Sequence, residues 1–179
     1  PLSVTYLVAR AHGRALDAQM VHVGAFCALY VLSLDLFDDV QDDDLAGKPH
    51  AVIGAPIAIN DAITLLFLAL EELRAAISLE GDEAVRALYL ELFGRVSLRA
   101  VSGQHRDLLG VEGALTPDEV LAMQEAKTSS VSLLAECGAL LGGADIAQRA
   151  HYRALGEALA LFIQVRDDRR GTWVLRLNV

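Results

Sequence analysis

The sequence predicts an all-α fold, a bundle of long helices, on three observations. Hydrophobic residues make up 54% of the chain but aromatics only 6%, with four prolines; this Ala- and Leu-rich profile favours helix over sheet. Apolar residues recur at spacings of three and four through several long segments. No segment alternates apolar and polar in the manner of a half-buried strand. Neither a repeat nor a low-complexity stretch interrupts the pattern, so one domain is expected across residues 1–179.

The first strong helical pattern covers residues 15–43 and includes the almost wholly apolar run VHVGAFCALYVLSLDL. AGKPHAVIGAP then supplies the Gly and Pro punctuation of a loop. Residues 60–78 read as a second helix capped by Asn60 or Asp61. Glu80, Gly81 and Asp82 mark a turn, and residues 82–109 a third helix. After a loop at 109–115, TPDEV places Thr116 at an N-cap, Pro117 at the first helical position and acids in the first turn. That start opens a helix expected to run unbroken to Leu141, where Gly142 and Gly143 end it. A last helix spans 144–170. PLSVTYLVARAHG opens without an evident cap and RRGTWVLRLNV ends without a stop signal, so missing flanking segments or loops are expected.

The net charge of −9 argues against nucleic acid as a partner, because a phosphate backbone attracts basic surfaces; polyphosphates stay accessible through divalent metals. Cys27 and Cys137 lie in apolar contexts without metal-ligand spacing, which reads as two buried thiols in a reducing, cytoplasmic setting. No signal-peptide pattern opens the chain. The longest apolar stretch, residues 21–34, contains His22 and falls short of the about 20 residues a bilayer requires.

Chemistry concentrates in FDDVQDDD, residues 37–44, with five carboxylates in eight positions. On a helix turning about 100° per residue, Asp42 lies about 40° from Asp38, Asp35 about 60° and Asp39 about 100°. Two readings are open: a solvated acidic helix end, or a wall for a hard cation such as Mg²⁺. The apolar helix leading in favours burial, and acids at a helix C-terminus oppose the macrodipole. LFIQVRDDRRG repeats the pattern: Gln164, Asp167 and Asp168 share a narrow arc after another apolar stretch, with Arg166, Arg169 and Arg170 available to neutralise them. Between the two, SGQHRDLLG puts Gln104 and Asp107 at i, i+3, and QEAKTSS puts Lys127 and Thr128 beside small residues.

FDDVQDDD, GQHRDL, KTSS and QVRDD, in that order across residues 31–171, resemble the trans-isoprenyl diphosphate synthases. Members carry a DDxxD, a GQxxDL, a Lys-Thr pair and a QxxDDxxD. The resemblance implies long helices around a central apolar cavity, with Mg²⁺ held at its mouth by Asp38, Asp39, Asp42, Asp167 and Asp168. It implies an allylic isoprenyl diphosphate bound with help from Lys48, Gln104, Asp107, Lys127, Thr128 and Gln164. Ionisation of that diphosphate would assign catalytic roles to Asp38, Asp39, Lys127, Asp167 and Asp168. Condensation with isopentenyl diphosphate to a short-to-medium product follows, and a homodimer. Family chain-length control falls one to two turns before the first motif, here on Tyr30, Ser33 and Leu34; Ser33 would leave the cavity open and Tyr30 would floor it.

Three departures stand out. Gly171 replaces the last aspartate of the second motif. The double arginine after the first motif is absent, leaving Lys48 and His50. The N-terminal Gly-Lys-Arg element is reduced to GRAL at residues 13–16. The first-motif region also resembles the branch that prenylates a tryptophan in a bacterial signalling peptide. A peptide prenyltransferase, a terpene cyclase and a non-catalytic regulatory subunit are therefore the alternatives.

Overall fold

The structure is a computed structural model that describes residues 2–43, 48, 51–109 and 115–170, with side chains described for 3–43, 48, 51–109 and 115–164. The described residues form seven helices: α1 (Leu2–Ala11), α2 (Ala18–Gln41), α3 (Ala55–Ser78), α4 (Glu83–Leu108), α5 (Pro117–Lys127), α6 (Ser130–Leu141) and α7 (Ile146–Arg170). The fold is all-α, as expected.

Local chemistry sets most boundaries. Asp17 caps α2 by accepting from the Met20 amide, and Asp82 caps α4 through Ala84 and Val85. Thr116 and Glu119 form a reciprocal capping box at α5, where the Thr116 amide donates to Glu119 Oε2 at 2.8 Å and the Glu119 amide donates to Thr116 Oγ1 at 3.3 Å. Asp145 and Gln148 do the same for α7 at 2.8 and 3.0 Å. Each such cap satisfies amides the helix cannot.

Three boundaries differ from the sequence expectation. Residues 2–11 form a helix despite lacking an evident cap, because α1 packs on α6: Thr5 Oγ1 donates to the Leu134 carbonyl at 2.9 Å, and Gly138 lets the chains approach at Thr5. Helix α3 begins at Ala55, after Gly54 in a positive-φ conformation, and not at residue 60. Asn60 is an interior residue whose carbonyl accepts from Thr64 Oγ1. The helix expected over 116–141 breaks at Thr128 and Ser129. There the hydroxyls bond to backbone (Thr128 Oγ1 to Gln124 O, 2.8 Å; Ser129 Oγ to Val96 O, 3.3 Å), and the amides of Ser129, Val131 and Ser132 reach back only three residues. Serine and threonine offer the chain that alternative.

Helix α6 is the axis of the bundle: all of its residues except Val131 are buried, and α1, α2, α4 and α7 pack around it. Phe26, Tyr30 and Phe93 lock α2 to α4, with ring centroids 5.6–5.9 Å apart. By length and composition alone α2 is apolar enough to cross a membrane, contrary to the shorter estimate from residues 21–34; in the fold its apolar side chains Val23, Phe26, Cys27 and Tyr30 form the core.

Candidate active site

An apolar cavity of about 680 Å³ opens between α2, α4, α6 and α7. Helix α2 contributes one face to it, Val31, Leu34, Asp35, Phe37, Asp38 and Gln41, the three-and-four spacing of a helical stripe. Because the stripe reaches the last turn of α2, its acidic end stands beside the apolar wall.

The cavity brings the sequence motifs together around Lys127. This lysine is the last residue of α5, and its ammonium lies 2.7 Å from Asp107 Oδ2, 3.1 Å from Asp38 Oδ1 and 3.5 Å from Asp42 Oδ2. Gly103 makes the meeting possible: a Cβ there would stand 2.2 Å from the Lys127 amide nitrogen and 2.7 Å from the Ala126 carbonyl carbon. Without a side chain at 103, α4 rests on the α5 backbone, and Gln104 and Asp107 arrive beside the lysine. Gln104 lines the cavity with both amide atoms buried and without hydrogen bonds among the described residues. Thr128 and Gln164 also line it.

Electrostatics follow from this crowding. Burial works against the charge of Lys127, but its hydrogen bond to Asp107 and the charges of Asp38 and Asp107 outweigh it, so the ammonium pKa is raised. Desolvation and then the Asp38 charge raise Asp42. Asp35, on the cavity wall one turn before Asp38, is pushed up to about 6 by desolvation and then by the charges of Asp39 and Asp38, with Lys48 opposing.

The remaining expected residues are placed differently. Lys48 pairs with Asp39, a residue of the acidic wall itself. Asp107 holds Lys127 and does not line the cavity. Leu34 lines the cavity, whereas Ser33 and Tyr30 do not. Ser33 Oγ instead donates to the Ala62 carbonyl on α3 at 2.8 Å, and Tyr30 sits in the aromatic cluster with its hydroxyl 2.8 Å from Ser97 Oγ. Ser33 and Tyr30 stand one residue, about 100° of helix rotation, before the lining residues Leu34 and Val31, which turns their side chains toward α3 and α4 and away from the role expected of them. The side chains of Asp167 and Asp168 lie outside the described residues, as do His50 and Gly171.

Among the described residues no three of His, Cys, Asp and Glu form a group that could hold a metal ion by themselves; Asp38, Asp42 and Asp107 are turned to the Lys127 ammonium. The donors nevertheless fit a hard cation. Asp38 and Asp42 share a helix face, and the buried Asp38 Oδ1 has the Lys127 ammonium at 3.1 Å as its described partner. Mg²⁺ asks for one or two carboxylates and fills its other positions with water and phosphate.

Sequence reasoning missed one polar network. Glu136 on the central helix is almost fully buried and takes two hydrogen bonds from Arg95 (2.9 and 2.8 Å) and one from Arg153 (3.1 Å); Arg99 pairs with Glu157 one turn along. A single acid inside SVSLLAECGALL was the signal. These pairs tie α4 to α7 across α6 and so fix the two flanks of the cavity.

The polyprenyl synthetase family model matches residues 3–172. The chain is 30% identical over 159 residues to the farnesyl diphosphate synthase of Geobacillus stearothermophilus, covering 84% of this chain and 50% of that protein. It is also 30% identical over 121 residues to the tryptophan prenyltransferase ComQ of Bacillus spizizenii, covering 67% and 40%. It thus spans about half the length of the curated relatives it matches, or less. Among solved structures, the geranylgeranyl pyrophosphate synthetase of the archaeon Geoglobus acetivorans superposes with a TM-score of 0.81 at 23% identity, over 93% of this chain and 54% of that one. A geranylgeranyl pyrophosphate synthase gives 0.81 at 20% identity, over 93% and 51%. At such identities the likeness establishes the fold, that of the class I isoprenoid synthases. With four motifs gathered at one cavity and nearly the whole chain matched, this chain belongs to the polyprenyl synthetase family.

Proposed function

We propose that this chain carries the site of a Mg²⁺-dependent prenyltransferase that ionises an allylic isoprenyl diphosphate and condenses it with isopentenyl diphosphate to a short-to-medium product. The observation that carries the reading is the cationic Lys127, ringed by Asp38, Asp42 and Asp107, beside an apolar cavity. A volume of about 680 Å³ lies in the about 300–1,000 Å³ range of small-ligand sites. The hydrocarbon tail packs against Val31, Leu34, Val101, Leu134 and Ile163, which exclude water from the cationic carbon left when the C–O bond breaks. Lys127 donates to the departing diphosphate, and Gln104 offers two unfilled amide groups at the same wall. Asp38, Asp39 and Asp42, with Asp167 and Asp168 of α7, would hold Mg²⁺. When bound, the metal stabilises charge on the leaving diphosphate.

A second reading places a tryptophan side chain as the acceptor. Asp35 favours it: a carboxylate between Leu34 and Phe37 on the α2 wall suits an acceptor with an N–H to donate, and the similarity to ComQ points the same way. A homodimer is in keeping with the family and with Ile59, Ile63 and Phe67, an exposed apolar stripe on α3. Cytoplasmic location accords with two free, buried cysteines.

The test is incubation of the protein with Mg²⁺ and labelled farnesyl diphosphate, with and without isopentenyl diphosphate, followed by product chromatography. Elongation requiring both substrates is expected, and Asp38→Ala should lower it by more than about 100-fold with helicity intact. Diphosphate loss from the allylic substrate alone would instead support another acceptor or cyclisation. No turnover with any metal or allylic chain length would overturn the enzyme reading in favour of a non-catalytic partner.

A further inference from the structure

We propose that the cleft lined by Arg95, Arg149 and Arg153, between α4, α6 and α7, is a second anion site, built for a small phosphate-class oxyanion and separate from the cavity of Lys127. The inference goes beyond the functional reading above and does not depend on it.

A small cavity of about 40 Å³ opens there, with Glu91 and Glu136 also on its walls. It shares no lining residue with the larger cavity. On α4 it is lined between residues 88 and 95, against 100 to 108 for the larger one; on α7 between 149 and 153, against 159 to 164. The two therefore lie about three helical turns apart, the small one toward the end of the bundle away from Lys127.

The charges do not balance within this cleft. Glu136 is almost fully buried, and it is served by two guanidinium groups: Arg95 Nη2 donates two bonds at 2.9 and 2.8 Å, and Arg153 Nε one at 3.1 Å. Arg149, one turn before Arg153 on α7, adds a third guanidinium, and its Nε is buried without a hydrogen bond among the described residues. Glu91, the other acid of the lining, is exposed, where water and salt screen its charge. Three cations around one buried anion leave a positive centre in a chain of net charge −9. A buried donor calls for an acceptor, and guanidinium forks match the oxygens of a phosphate group. Water would satisfy the donor but not the charge. Because Arg95 and Arg153 also join α4 to α7 through Glu136, an anion held there braces both flanks of the larger cavity.

The test is a titration of the full chain with inorganic phosphate, in metal-free buffer at constant ionic strength, followed by the arginine Nε–Hε signals in ¹H–¹⁵N NMR. The signals of Arg95, Arg149 and Arg153 should shift together along one saturating curve, while that of Arg74, paired with Glu71 on α3, stays in place. Arg149→Met should weaken the binding at least about tenfold, as loss of a charge-assisted hydrogen bond requires, and Lys127→Met should leave it unchanged. Acetate, with a single charge, should bind at least about tenfold more weakly than dianionic phosphate. Wild-type signals that fail to saturate, or that drift alike at every arginine, overturn the proposal without recourse to any variant. A curve retained in folded Arg149→Met, or abolished by Lys127→Met, overturns it too, the latter by placing the phosphate at the larger cavity. Acetate binding as tightly as phosphate overturns the assigned ligand class. None of these results bears on turnover of an allylic diphosphate, so the two readings stand or fall separately.

Discussion

Replacing Gly103 by alanine would place a methyl carbon 2.2 Å from the Lys127 amide nitrogen, 2.7 Å from the Ala126 carbonyl carbon and 2.8 Å from the Lys127 Cα. All three are backbone atoms, so no rotamer change relieves the overlap, and α4 and α5 must part by about 1 Å or more to reach ordinary carbon contact distance. Overpacking of this kind costs about 1–3 kcal/mol, and the rigid neighbours put Gly103→Ala at the upper end, about 3 kcal/mol. For a chain of this size that lowers Tm by about 6–12 °C. The same displacement moves Lys127 from Asp107, Asp38 and Gln104, and a misplacement of about 1 Å is worth about 100-fold in rate. Gly94 supplies the control: it lies in the same helix, and a methyl group there would have nothing within 4 Å, so Gly94→Ala should stabilise by up to about 1 kcal/mol. Urea unfolding and allylic diphosphate turnover of both variants form the assay. Gly103→Ala with stability within about 0.5 kcal/mol of wild type and undiminished turnover would refute the close-contact argument.

Asp35→Asn should stabilise the metal-free protein above about pH 6 and change little below about pH 4. The folded carboxyl is raised from 3.8 to about 6, so the stability it contributes is fully present below its unfolded pKa and is lost as pH rises through about 6. Because Asp35 is exposed to solvent, the gain is discounted to about 1 kcal/mol; thermal unfolding at about pH 4 and pH 7.5 checks it, and a larger benefit at the lower pH would contradict it. Glu136→Gln should cost about 3 kcal/mol, toward the low end for a broken buried pair because Arg95 and Arg153 are 33% and 44% exposed and rehydrate. A urea midpoint unchanged from wild type would show that the network does not hold the flanks.

Much of the bundle was readable where a helix carries its own signals. The apolar run of α2, the Asp82 cap of α4 and the Thr116–Glu119 box of α5 each act through neighbours in sequence. Tertiary partners decided the rest. Helix α1 owes its place to α6 through Thr5 and Leu134, a contact across 129 positions that no local pattern reveals. The Thr128–Ser129 break depends on Ser129 reaching Val96 on another helix. In the site, the order of motifs foretold which residues meet, but not that Asp107 faces the lysine instead of the cavity. The direction of Ser33 followed from the Ala62 carbonyl on α3, which a reading of α2 by itself does not contain.

The break between α5 and α6 divides a would-be single rod into pieces of very different protection. Met123 is the buried residue of α5, whereas α6 is buried almost throughout. Amide hydrogens of α5 should therefore exchange with solvent through small local openings, and those of α6 only through opening of the whole bundle. Lys127 stands at the last residue before that step in protection. Any ligand that engages its ammonium draws α5 into the slow-exchanging unit, so the exchange rate of one short helix becomes a readout of the site's occupancy.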